Sequence, residues 1–580
     1  MDLFENLSDN QIEAVKTIDE DLEIIACAGA GKTGVVTRRI INILKSNPDI
    51  LPENIVAFTF TENAAEELKS RVYKYGEAVL GNTKGFANMY IGTIHGFCLK
   101  ILQEHIVQFQ KFTVLDEIKT KLYIEKNYNF CGMPDLGLKI YTETNLFLSV
   151  MSTLNENWFE RDKWDEKTRT AVDKYKGTFY RKKYFDYSLI MQEMLNQLEN
   201  NKDFADIILS KIKYLTVDEY QDTNPIQERL IHFIKQGGCN LCIVGDDDQT
   251  IYQFRGSNPE NILTFRERYG INKYIVLGTD YRSSEAIVDI GKRVIVNNEK
   301  RLPKVMESGK LVKYEEGDTV YREFDGCDEE YEFIAKRIKA LHDSGVKYSE
   351  MAVLLRKRKH GPDIAKMFDE YEIPYIIEGV NELFSTAECQ AAKGIFDYLA
   401  GTIGMMELFQ LWKSIDYELD EKEIAEAIAT LNVIDVKSKK FYGEFVLQKV
   451  YHDFLRRISI VDESNSSEII LYNLGKFSQV INDFETIYYT TIPANKLSSF
   501  CNFLKYTADG YYPEGHIANT YIRPDAVNIM TVHQSKGLEF TAVFIPQMNH
   551  NNFPSAKMGG KSIWHVIEKD WIPNADRFAG

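Results

Sequence analysis

The run Ile25-Ala26-Cys27-Ala28-Gly29-Ala30-Gly31-Lys32-Thr33 has the residue types of a loop that wraps the phosphates of a nucleotide. Small residues let backbone N–H groups approach phosphate oxygens, and a following helix N-terminus adds partial positive charge. Lys32 then reaches the β and γ phosphates, and the Thr33 hydroxyl suits a magnesium ion. Ala28, Gly29, Ala30, Gly31 and Gly34 complete the set that would line the nucleotide, although Ala26 stands where the general pattern has its first glycine. A second group, Asp218 and Glu219, follows the apolar run Tyr214 to Val217. Two adjacent carboxylates at the end of a buried strand are costly without a partner. A magnesium ion at Lys32-Thr33 is such a partner; Asp218 then holds the metal through water, and Glu219 orients and deprotonates the attacking water.

Other polar clusters also follow apolar runs. Gln249 comes shortly after Leu241 to Val244, behind Asp246, Asp247 and Asp248. Those three aspartates suggest a calcium loop, but the glycine and closing glutamate of that pattern are missing. Phe60 and Thr61 follow Ile55 to Thr59, Thr93 and His95 follow Tyr90 and Ile91, and Tyr252, Phe254 and Arg255 lie just beyond Gln249. Arg282, after Tyr274 to Leu277, is either a surface residue or one that reaches a γ-phosphate from a neighbouring domain. Gln11 offers an amide that donates and accepts at once, which suits the edge of adenine.

These residues need strands that end side by side, because open α/β sheets bind ligands beyond the carboxyl ends of their strands. Leu22 to Ala26 reads as a buried strand, and Val36, Ile40 and Leu44 recur after it at helical spacing. Ser8 or Asp9 caps an earlier helix whose apolar face is Ile12, Val15 and Ile18. From about Phe112 to Phe185 the alternation of strands and helices gives way to a charged, aromatic, mainly helical segment, and it returns at Tyr214. A second α/β layer follows Arg282, with a helix through Phe333, Ile334, Ile338 and Leu341 and a strand Ala352 to Leu355. The basic cluster Arg356 to His360 after that strand fits either nucleic-acid phosphates or a solvated loop. Residues 401–524 read as mainly helical, and the α/β pattern resumes at Val527.

Composition narrows the class. A chain of 580 residues is too long for one core. Its net charge of −17 argues against a coat of positive charge but allows a local basic groove. No secretory leader and no long apolar run is evident, so a cytoplasmic protein without a membrane span is expected. Cys239 and Cys242 have CxxC spacing without a second pair, and Cys242 lies in an apolar run, so a buried thiol rather than a metal site is expected there.

Taken together, the motifs from Gln11 to Glu539 resemble those of the UvrD/Rep/PcrA-like superfamily 1A DNA helicases. The resemblance implies two RecA-like P-loop motor domains with parallel sheets, each interrupted by a mainly helical insertion. The corresponding divisions are 1–112 and 186–280 for the first motor domain with insertion 113–185, and 281–400 and 525–580 for the second with insertion 401–524. It implies ATP and Mg²⁺ in the cleft and single-stranded and duplex DNA as partners, with 3′→5′ movement. Carried over by residue, Gln11 reads adenine, Tyr281 stacks on it, and Lys32, Thr33 and Asp218 hold phosphate and Mg²⁺. Glu219 is the base, Gln249 the γ-phosphate sensor and Arg282 the arginine finger, with Gly537 and Glu539 near the ribose and γ-phosphate. Phe60, Tyr252 and Phe254 resemble base-stacking aromatics, and Thr61, Thr93, His95, Arg255 and His533 resemble backbone contacts.

Departures from the family pattern also carry expectations. Gly34 stands where an Arg beside the base is common, and Asp280 where an Asn is usual. The sequence stops at Gly580, before the Arg-rich helix that supplies a second arginine in relatives, so these 580 residues alone are expected to bind nucleotide and DNA but to hydrolyse ATP poorly. Two other readings are a DNA-end or nucleotide-state sensor in a repair or defence complex, and the helicase half of a helicase-nuclease.

Overall fold

The computed structural model describes residues 2–575 except 254–255, 310–314, 378–382, 385, 416, 437–444, 461–464, 507, 509–523, 551, 554–561 and 574. Phe254 and Arg255 therefore lie outside the described residues.

Strands β1 (Leu22–Ala26), β2 (Ile55–Thr59) and β3 (Tyr90–Thr93) are formed first, each followed by a helix: α2 (Lys32–Ser46), α3 (Glu62–Leu80) and α4 (Ile94–His105), with α1 (Asp9–Lys16) ahead of them. The chain then makes a short parallel pair, β4 (Thr113–Val114) with β5 (Tyr184–Phe185), before β6 (Tyr214–Val217), β7 (Asn240–Gly245) and β8 (Tyr274–Leu277). Six of these strands form one parallel sheet in the order β3-β2-β6-β7-β1-β8. Every residue of β1 and β2 is buried, because a parallel sheet is covered by helices on both faces. This order makes β6, β7 and β1 consecutive neighbours, with Ile24 facing Val244 and Thr216 facing Cys242. Residues far apart in sequence thus leave one sheet edge together.

α2 starts abruptly at Lys32 because Gly31 takes the left-handed backbone at its N-cap, and it buries Val35, Val36, Ile40 and Ile43 on one side. Ser8 caps α1, and its hydroxyl and the Gln11 side chain close a reciprocal capping box.

A second parallel sheet has the order β12-β13-β11-β14, from Met351–Leu355 (β11), Tyr375–Ile377 (β12), Val527–Thr531 (β13) and Ala542–Phe544 (β14). Its core joins Ile334, Ile338, Val353, Ile364, Phe368 and Ile529. Between the sheets, β9 (Thr279–Asp280) pairs with β10 (Glu307–Ser308), closing an excursion over residues 281–306 that holds the helix Glu285–Ile295.

Two helical excursions interrupt this α/β pattern. In the first, β4 and β5 place the outgoing and returning chain side by side, and the helices Glu117–Lys126, Thr144–Glu156 and Glu166–Arg181 lie between them. The second contains Met405–Lys413, Glu421–Leu431, Leu447–Leu455, Asn465–Tyr488 and Pro493–Tyr506. The excursions meet: Lys119 pairs with Asp483 at 3.0 Å, and the Lys126 ammonium donates to the Ile487 carbonyl at 2.6 Å. Cys239 and Cys242 are both buried, Cys242 within β7, as expected of a core thiol. No described helix is long and apolar enough to cross a membrane.

One core residue breaks the apolar pattern. Glu23 in β1 is fully buried, and its carboxylate is paired with Arg266 at 3.0 Å without a hydrogen bond among the described residues. Burial pushes its pKa up to about 7, with Arg266 offsetting only part of this. Because the folded pKa lies above the unfolded one, the folded state binds the extra proton, and stability falls as pH rises from about 4.5 to 7. Glu23→Gln is expected to remove roughly 3 kcal/mol of that slope, so its melting temperature should overtake the parent's above pH 7 while matching or trailing it at pH 5.

Candidate nucleotide and nucleic-acid site

The loop after β1 is shaped by two glycines in left-handed backbone, Gly29 at φ +70° and Gly31 at φ +74°. At Gly29 the requirement is doubled: a Cβ there would overlap the Asp280 carboxylate, 2.6 Å from its Cγ, and lie 2.9 Å from Arg282 Cβ. The loop is also stapled to α1, because the Gln11 amide donates to the Ala30 carbonyl at 3.0 Å while its oxygen accepts from the Ser8 N–H at 2.9 Å. Both ends of the proposed adenine reader thus have partners within the protein. At Gly34 a Cβ would meet nothing within 4 Å.

Lys32 opens α2 and points at Glu219, with Nζ to carboxylate distances of 3.1 and 3.3 Å. Burial works against the charge on Lys32, but Glu219, Asp218 and Asp246 outweigh it and raise its pKa. Glu219 sits just beyond β6 in left-handed backbone, φ +49° and ψ +41°, an uncommon conformation for a residue with a side chain. The turn is held by its neighbours: Tyr220 is fully buried and donates to Glu228, and Gln221 donates to the Glu219 carboxylate at 2.5 Å. Burial pushes Glu219 towards neutrality, yet Lys32, Gln221 and Lys536 prevail and hold its pKa below the usual range.

Asp218 behaves in the opposite way. Burial, reinforced by repulsion from Glu219, raises its pKa to about 7, and Lys32 offsets only part of this. A half-buried carboxylate short of positive charge and interacting with Lys32, next to which stands Thr33, offers hard oxygen donors that fit Mg²⁺.

Gln249 follows β7, and its amide donates to the Asp246 carboxylate at 2.6 Å. Its backbone carbonyl accepts from Lys536, which also pairs with Asp222 at 2.6 Å. Lys536 lies just past β13, so this cation joins the two sheets. Asp222 is raised to about 6 by burial, an effect that Lys536 moderates.

The excursion after β9 faces the loop directly. The Tyr281 N–H donates to the Gly29 carbonyl at 3.0 Å, and Asp280 accepts from the N–H groups of Arg282 and Ser283 at 2.7 and 3.0 Å. The Arg282 guanidinium pairs with Glu539, and both side chains remain substantially exposed. Gly537 takes left-handed backbone at φ +86°, turning the chain towards Glu539. The Tyr281 ring is exposed.

Residues 7–270 match the UvrD/REP helicase N-terminal domain, and residues 275–403 and 405–566 match the UvrD-like helicase C-terminal domain. The chain belongs to the UvrD/REP helicase family. It is 29% identical over 622 residues to the ATP-dependent DNA helicase PcrA of Staphylococcus epidermidis, an alignment covering 98% of this chain and 81% of that protein. The same shares are covered at 29% identity over 621 residues with the ATP-dependent DNA helicase PcrA of Staphylococcus aureus.

In this UvrD-type helicase the aromatic pair expected to stack on bases is brought together. Phe60 and Tyr252 stack on each other, centroids 5.4 Å apart and planes 17° apart. The Tyr252 hydroxyl donates to the His533 carbonyl at 3.3 Å, and Lys536 lies 4.8 Å from the centre of its ring. Thr61 and Thr93 each cap the helix that follows, accepting from the N–H groups of Ala64 and Gly96 at 3.2 and 3.1 Å. Thr93 also donates to Glu62 at 2.8 Å. The His95 ring lies 4.9 Å from Tyr187, and burial lowers its pKa to about 4, so it is neutral at physiological pH. Lys536, Gln221 and Asp222 gain parts in the site that sequence reasoning did not assign. Lys536 had a signal in its place within the Lys-Gly-Leu-Glu run, and Gln249 in its own polar cluster, but nothing local ties the two together.

Proposed function

We propose that this helicase is an Mg²⁺-ATP-driven motor that moves 3′→5′ along single-stranded DNA and separates duplex ahead of it. The observation that carries the reading is the convergence of Lys32, Asp218, Glu219 and Gln249 from one sheet edge on a loop faced by Arg282 and Glu539. On this reading 1–112 and 186–280 form one motor unit and 281–400 and 525–580 the other, with 113–185 and 401–524 inserted. Thr33 and Asp218 would hold the metal, which supplies charge neutralisation for the phosphates. Lys32 exchanges its carboxylate partner for the β and γ phosphates, which frees Glu219 to accept a proton from the attacking water. Gln249 reads the γ-phosphate, and Arg282 leaves Glu539 to stabilise charge in the transition state when the cleft closes. Gln11 and Tyr281 contact the base.

On the same reading, Phe60, Tyr252 and Phe254 stack on bases of the DNA, and Thr61, Thr93, His95, Arg255 and His533 follow its backbone, giving binding without sequence preference. Strand displacement on duplexes with a 3′ or a 5′ single-stranded tail tests this. ATP-dependent displacement from the 3′-tailed duplex is expected. Displacement only from the 5′ tail, or none while ATP-dependent DNA binding persists, overturns it, the latter in favour of a sensor.

A further inference from the structure

We propose that Lys304 is a positioning residue for γ-phosphate reading: its ammonium gathers Asp246, Asp247 and Asp248 and thereby fixes the Gln249 side chain. The inference rests on Gln249 as the γ-phosphate sensor and adds a residue from the far end of the excursion that carries Arg282.

The three aspartates follow β7 with ligand oxygens within 4.8 Å of one another and carboxylates no more than 7% exposed. Such a cluster needs positive charge. Lys304 supplies it: its side chain is 0% exposed, and its Nζ pairs with Asp246, with Asp247 at 2.6 Å and with Asp248 at 2.9 Å. Arg301 adds two bonds to Asp248 at 3.1 and 2.7 Å, and the Leu302 N–H donates to Asp247 at 2.8 Å. The ammonium thus supplies positive charge to all three carboxylates at once.

The consequence runs through Asp246. One of its oxygens faces Lys304 and the other accepts from the Gln249 amide at 2.6 Å. Its N–H donates to Gln221, which in turn donates to Glu219. With one amide hydrogen fixed on a held carboxylate, the oxygen and second hydrogen of Gln249 have a set direction. Residues 281–306 therefore touch the site at both ends, Arg282 at the start and Lys304 near the return. Met306, two residues on, packs on the core under β1 and holds that return in place.

The full chain is titrated with Mg-ADP and with Mg-complexed adenylyl imidodiphosphate, and the ratio of the two dissociation constants is the readout. Lys304→Met is expected to cut the preference for the triphosphate roughly tenfold or more, in line with loss of a hydrogen bond to a charged group. Gln249→Ala should do the same, and the double variant should fall no further. Lys304→Arg, which keeps the charge, should retain most of the preference. If Lys304→Met does not fold, Asp246→Asn carries the test and should also lose the preference. Equal weakening of both nucleotides, with the preference intact, overturns the proposal and leaves the reading of Gln249 standing. An intact preference in Gln249→Ala overturns that reading and the proposal with it.

Discussion

Glu219→Gln is expected to lower ATP turnover by 10²- to 10⁴-fold, the range for removing a general base, while nucleotide binding is retained or tightened. The asymmetry follows from the pairing of Lys32 with Glu219 at 3.1 Å. On the proposed reading ATP takes Lys32 away from the carboxylate, and an amide at that position competes less for the ammonium. The fold should survive, because the left-handed turn at Glu219 is held by the Tyr220–Glu228 contact and by Arg268 on Glu228, and the side-chain oxygen of a glutamine can still accept from Gln221. Single-turnover hydrolysis alongside equilibrium titration of a fluorescent ATP analogue separates the two effects. Turnover within a few-fold of the parent removes Glu219 from its role, and lost binding would mean that the pair with Lys32 is structural.

Gly29→Ala is expected to abolish measurable ATP binding, and Gly34→Ala to leave it unchanged. The two glycines lie five residues apart in the same loop and helix start, so the contrast isolates geometry from composition. At Gly29 an alanine meets a left-handed backbone, which costs roughly 1–2 kcal/mol, and its methyl group falls inside the Asp280 carboxylate. The loop, Asp280 or both must shift, and with them the Tyr281 N–H bond to Gly29 and the Arg282 backbone that Asp280 caps. At Gly34 a methyl group enters open space on a helix, where alanine is the better former by roughly 1 kcal/mol. Titration with the same fluorescent analogue and thermal unfolding of both variants check this. Unimpaired binding by Gly29→Ala would show that the loop and residues 280–282 separate freely.

Strand-end chemistry was legible in the sequence because each cluster, from Lys32-Thr33 to Asp218-Glu219 and Gln249, directly follows an apolar run, and the order of runs is enough to expect α/β. The order of strands was not, since only pairing shows that β6 and β7 separate β1 from β2. Long-range polar partners were equally hidden. Lys304 belongs to no recognisable run, and nothing local ties it to aspartates nearly sixty residues earlier. Gln11 illustrates a subtler limit: the capacity of its amide to face a base is legible in its own segment, whereas its bonds to Ala30 and Ser8 are not. Whether a side chain with the right chemistry is already occupied depends on neighbours that its own segment does not specify.

The stack of Phe60 on Tyr252 bears on how a strand enters. If bases stack here as proposed, a base that enters between these rings exchanges the Phe60–Tyr252 contact for two of its own, so the net gain is about one stacking contact. Tyr252 is also held by the His533 carbonyl and the Lys536 ammonium, both beyond the second sheet's β13. Prising it from Phe60 therefore loads a contact that spans the two halves of the molecule.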